Sequence, residues 1–188
     1  MKNLPNQFFY SKEEDRLNVI SHGIGFILSI IGLIFLLNKG LQDFNLLRFL
    51  SFLIYGISLS TMYIASTLYH SSKTPEGRYK FRLFDMVSIY LLIAGSYTPF
   101  TLTVLIDSGG LTLFLLVWVI AFIGIIWKIF TVGSYNISST LLYIFMGGLW
   151  LFFIDAFINE IPQNALMWIY ASASTLSLIH ISEPTRQP

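Results

Sequence analysis

Six apolar runs separated by short polar connections dominate the chain. They cover about Val19–Leu37, Phe49–His70, Leu83–Ile106, Leu111–Trp127, Ile137–Ile158 and Ala165–Ile181. Each is roughly 17–24 residues, the length a helix rising 1.5 Å per residue needs to cross a hydrocarbon core of about 30 Å. No alternation of period two appears, so the runs do not read as barrel strands. Backbone groups in lipid must pair within their own segment, which makes each run a helix. The pattern therefore predicts an all-α, polytopic transmembrane bundle with six spans.

The connections are too short to hold a soluble domain. Thr74-Pro75-Glu76-Gly77 reads as a turn between the second and third spans, and Ser108-Gly109-Gly110 as a tight turn between the third and fourth. Ahead of the first span, Ser11-Lys12-Glu13-Glu14 fits a capping box, so a helix starting near Lys12 is expected to run into the membrane. A solvated, charged lead-in is the plainer alternative. The polar N-terminal stretch does not resemble a signal peptide.

Composition agrees with this pattern and narrows the chemistry. The 188 residues are 55% hydrophobic and only 11% charged, too little polar surface to cover a soluble globule. The net charge of +1 creates no field to recruit nucleic acid, and membrane lipids are the expected partners. With no cysteine, thiolate metal sites and disulfides are excluded, and imidazole chemistry falls to His22, His70 and His180. Apart from Arg186 near the C-terminus, lysines and arginines divide eight to two between the two sides, with Lys2, Lys12, Arg16, Lys73, Arg78, Lys80, Arg82 and Lys128 opposite Lys39 and Arg48. Positive residues stay inside, so a cell-membrane protein with a cytoplasmic N-terminus is expected.

Several polar residues fall where a membrane helix is costly to load. Asn18 and His22 lie four apart near the start of the first span, Ser66 and His70 four apart at the end of the second, and Asp85 at the start of the third. Alternating helix directions bring these ends to one side at similar depth. Ionisable groups in a span usually face a bundle interior, and imidazole next to a carboxylate suits Zn²⁺. Plainer roles fit as well. His70 can cap carbonyls at a helix end, Asp85 can pair with Arg82 three residues earlier, and His22 can bond across helices. Pro99, within Gly95-Ser96-Tyr97-Thr98-Pro99, should kink the third span, either around a cavity or as a packing bend, with Ser96 or Thr98 satisfying the freed Gly95 carbonyl. Asp107 and Asp155 fall toward the opposite side and read as interface residues.

These residues resemble a known family. Glu13-Glu14, Asn18 and Ser21-His22-Gly23-Ile24-Gly25 are similar to the opening motif of the hemolysin III family, the bacterial branch of the progestin and adipoQ receptor (PAQR) superfamily. Ser66 to His70 resembles its serine–x–x–x–histidine motif. Asp85, Tyr90 and Ala94 to Phe100 resemble its third motif, and Trp127-Lys128 a further landmark. Met86 departs from the histidine that often follows the aspartate. The resemblance implies a seven-helix fold. It also implies zinc held by His70 together with a histidine pair on a seventh helix, with Ser66 and Asp85 next to the metal or its water. It further implies kinship with membrane ceramidases, hence a zinc-dependent hydrolase acting on a lipid amide or ester. A cytolysin or a lipid-sensing, receptor-like protein without enzymatic activity is the competing class.

The seventh helix and its histidine pair are missing from this sequence. Residues 1–175 read as the hemolysin III-like membrane domain, incomplete at its end. Residues 176–188, including His180, read as a non-native tail resembling translated sequencing adaptor. Zinc ordinarily takes three or more protein ligands, so the 188-residue chain as written is expected to bind it weakly and to lack hydrolase activity.

Overall fold

A computed structural model describes residues 10–42, 44–131 and 137–167. Every regular element among them is helical: α1 Lys12–Leu41, α2 Leu46–Ser71, α3 Pro75–Pro99, α4 Leu111–Thr131, α5 Ile137–Gly148 and α6 Ile154–Glu160. Five stretches are long and apolar enough to cross a membrane: Lys12–Leu41, Leu46–Ser71, Pro75–Val104, Ile106–Thr131 and Ile137–Glu160. The expected sixth span begins with a helical turn at 163–167, and the rest of it lies outside the described residues, as does the tail. Residues up to Leu149 form one compact unit and those from Trp150 another.

Local chemistry starts the helices where it should. The Ser11 hydroxyl accepts from the Glu14 amide at 3.2 Å while the Ser11 amide donates to the Glu14 carboxylate at 2.9 Å, the reciprocal box expected from the sequence. Asn45 caps α2 by accepting from the Arg48 amide, and the Arg48 guanidinium donates to the Gln42 carbonyl across the connection. Thr74 accepts from the Gly77 amide and Pro75 occupies the first helical position of α3. The Thr74–Gly77 turn is thus a helix start, and the third helix begins eight residues before Leu83. Threonine followed by proline serves both motifs equally well. What decides is that Arg78, buried to 1% exposure, is drawn into the bundle.

The packing of the first unit is that of a membrane protein, with small polar residues inside and large apolar ones outside. Ser29, Ser51, Ser58, Ser60, Ser66, Ser88, Thr98 and Thr101 are buried, whereas Phe35 and Phe130 are 70% and 82% exposed. In lipid, helices associate through close backbone approach and interhelical hydrogen bonds rather than apolar burial. Ser29 of α1 donates to Ser60 of α2 at 2.9 Å. Gly95 of α3 lies so close to Ser58 that any side chain there would clash with it.

Pro99 is the last residue of α3, and both it and Phe100 keep right-handed helical dihedral angles. Beyond it the chain widens into a π-helical turn, Phe100–Val104, and a second, Ile106–Gly110, where Gly109 has φ 87°. That left-handed conformation favours glycine, and it sits in the tight turn expected there. Ser96 and Thr98 do not take the Gly95 carbonyl. Their hydroxyls donate to the carbonyls of Ile93 and Ala94. Tyr97 donates to the carbonyls of both Met146 and Gly147, at 3.0 and 2.8 Å, and so ties α3 to the end of α5. A cavity of about 400 Å³ lies beside Pro99, lined by Phe52, Tyr55, Ser96, Pro99, Phe100 and their neighbours. His70, Ser66 and Asp85 do not line it.

Candidate functional site

Helix direction alternates along the chain, so the start of α1, the end of α2 and the start of α3 lie together. Asp15, Asn18 and His22 follow one another at i, i+3 and i+7 on α1, which puts them on one face. Ser66 and His70 are one turn apart on α2, and Arg78 and Asp85 are seven apart on α3.

An arginine organises the cluster. Arg78 Nη2 donates to both Asp15 carboxylate oxygens, at 2.7 and 2.8 Å. Its Nη1 lies 3.0 Å from the Tyr69 carbonyl, 3.2 Å from that of His70 and 3.4 Å from that of Ser72. The last carbonyls of a helix have no partner within it, so Arg78 caps the C-terminus of α2 and closes an ion pair with α1 at the same time. Its guanidinium also stands 4.7 Å over the Tyr69 ring.

The Asp15 carboxylate has a second partner. Its Oδ1 is 2.9 Å from His70 Nδ1, and the Asn18 amide nitrogen is 3.5 Å from the same atom. At the shorter distance Nδ1–H donates to the carboxylate, and Nε2 is the ring nitrogen not engaged by Asp15. His22 lies parallel to His70, ring centroids 6.0 Å apart and planes 6° apart, and Tyr10 lies 5.3 Å from His70. The Asp85 carboxyl faces the buried Ser66 hydroxyl and is within electrostatic reach of His70 and Arg82.

The structure therefore brings together His70, Ser66, Asp85 and His22, the residues singled out from the sequence. It adds Asp15, Arg78 and Tyr69, which sequence reasoning passed over. Asp15 was legible as a third member of the Asn18–His22 face. Arg78 gave no local sign beyond its charge.

A histidine whose Nδ1 is held by a carboxylate, with Nε2 free, is the arrangement that orients a metal-binding imidazole. His70 fits that description. Among the described residues, however, no group of three or more His, Asp or Glu side chains could hold a metal ion, and His180 lies outside them. The described residues thus offer one well-oriented ligand and a neighbouring carboxylate, and no complete set.

Long apolar helices with small-residue packing and a polar cluster at one end define a multi-pass helical membrane protein. Residues 10–180 match the family described as Haemolysin-III related, and the chain belongs to it. It is 44% identical over 137 residues to Hemolysin-3 of Bacillus cereus, covering 73% of this chain and 63% of that relative. It is 39% identical over 145 residues to a Hemolysin-3 homolog of Bacillus subtilis (strain 168), covering 77% and 67%. The chain thus spans about two thirds of the length of the curated relatives it matches. No solved structure gives a significant match.

Proposed function

We propose that the whole protein is a zinc-binding membrane protein in which His70 supplies one ligand, and that it hydrolyses a lipid amide or ester at the face where its N-terminus lies, the cytoplasmic one. The observation that carries this reading is the Asp15 carboxylate on His70 Nδ1, with the Ser66-bonded Asp85 carboxyl within electrostatic reach of the same imidazole. Zinc bound there supplies a Lewis acid and lowers the pKa of water to about 7. The chain's own residues prepare the place. Arg78 fixes Asp15, Asp15 fixes the imidazole, and Ser66 restrains the Asp85 carboxyl, which is free to accept a proton from a water or to orient it. The remaining ligands come from outside the described residues.

A cytolytic role is the second reading, favoured by the name Hemolysin-3 that the Bacillus cereus relative carries. Metal content and lysis assays on the same preparations separate the two. The hydrolase reading predicts that His70→Ala lowers zinc content and amide or ester turnover together. Lysis of red cells unchanged by His70→Ala and Asp85→Asn, with no turnover in any variant, would replace it with the cytolytic reading.

A further inference from the structure

His70 is the last residue but one of α2 and adjoins the polar turn Ser71–Thr74, yet its side chain is only 9% exposed. Three rings surround the imidazole. His22 lies parallel to it at 6.0 Å between centroids, Tyr69 edge-on at 4.8 Å and Tyr10 tilted at 5.3 Å.

These three covers differ in how they are held. His22 belongs to α1, seven residues beyond Asp15 and about 10 Å deeper along the axis. Tyr69 is buried within the last turn of α2. Tyr10 precedes Ser11, the N-cap of α1, so no helical hydrogen bond fixes its backbone. It is 48% exposed, with one side toward solvent and the other on the cluster. There it meets the His70 ring, the edge of Tyr69 at 6.5 Å between centroids, and the Arg78 guanidinium at 5.9 Å. Ring pairs and cation–π contacts at an exposed position are individually weak. Tyr10 can therefore leave the cluster without any helix unwinding, which neither His22 nor Tyr69 can do.

We propose that Tyr10 is an aromatic lid over His70. Lying on the imidazole, it closes the aqueous approach at this end of the bundle; swung out, it opens that approach. Closure of this kind keeps bulk water from a polar site and sets when molecules exchange with it. The covering is done by the ring and not by the hydroxyl. The lid governs access to the imidazole and does not depend on zinc being its ligand.

The test is carbethoxylation of the histidines by diethyl pyrocarbonate, with each histidine followed by peptide mass spectrometry. It is run on the full chain in detergent after dialysis against EDTA, so that no bound metal shields the imidazole. His22, deeper in α1, is the internal reference. Tyr10→Ala should raise the reaction rate of His70 relative to His22 about five-fold, the gain from removing a cover held by a ring pair and a cation–π contact. Tyr10→Phe keeps the ring and should react as the wild type does. Equal His70 rates in the wild type and Tyr10→Ala would overturn the proposal. So would a Tyr10→Phe protein as reactive as Tyr10→Ala, or a rise in which His22 shares equally, since that reports a loosened bundle end rather than an opened lid.

Discussion

Replacing Arg78 by methionine keeps the length of the buried side chain but removes every polar contact it makes. The Asp15 carboxylate loses two charge-assisted bonds, and the carbonyls of Tyr69, His70 and Ser72 lose their cap. Breaking one side of a buried ion pair costs about 3–5 kcal/mol. Asp15 is 21% exposed and can recover some hydration, so the lower end applies, about 3 kcal/mol. At roughly 2–4 °C per kcal/mol for a chain of this size, Arg78→Met should melt about 6–12 °C lower in detergent. Arg78→Lys should recover less than half of this, because a point charge cannot serve a carboxylate bidentately and reach the three carbonyls as well. A double-mutant cycle with Asp15→Asn should give a coupling of about 2 kcal/mol. A melting shift for Arg78→Met under about 2 °C, or additive single mutants, would refute the claim that Arg78 organises this end of the bundle.

Tyr97→Phe removes the donor shared by the Met146 and Gly147 carbonyls and should cost about 1–2 kcal/mol in thermal unfolding; an unchanged melting point would show that α3 and α5 do not depend on it. Gly95→Val should cost about 1–3 kcal/mol by overpacking against Ser58, with partial rescue by Ser58→Gly, and absence of rescue would place the strain elsewhere. A reporter fused after Lys73, between α2 and α3, should be active only in its cytoplasmic form, because the positive residues concentrate on that side; activity only outside the cell would reverse the orientation.

Much of this architecture was legible because lipid imposes a simple rule on length and polarity. The first five apolar runs each correspond to a stretch able to span, and the Ser11–Glu14 box marked the start of α1 to the residue. The meeting of His70, Ser66 and Asp85 could be foreseen from helix alternation alone, since each lies near an end facing the same side. Arg78 and Asp15 were not foreseen. They are 63 residues apart, and each had a sufficient local explanation, one as a topogenic positive charge and the other as part of an acidic lead-in. The start of α3 was misplaced for a related reason. A polar, basic stretch reads as a connection unless one knows that its arginine points inward to cap the preceding helix. The roles of Ser96 and Thr98 also escaped the sequence, because a hydroxyl in a helix has two carbonyls in reach, three and four residues back, and residue order alone does not select between them.

The measurement that bears most directly on the central claim is the zinc content of the protein produced from its native locus and purified without added metal. It should be made on the wild type and His70→Ala, each checked for a cooperative melt. The account predicts about one zinc per chain in the wild type, and its loss in a folded His70→Ala. A wild type free of zinc, or a His70→Ala protein that keeps it at the same stoichiometry, would contradict the assignment of His70 as a ligand.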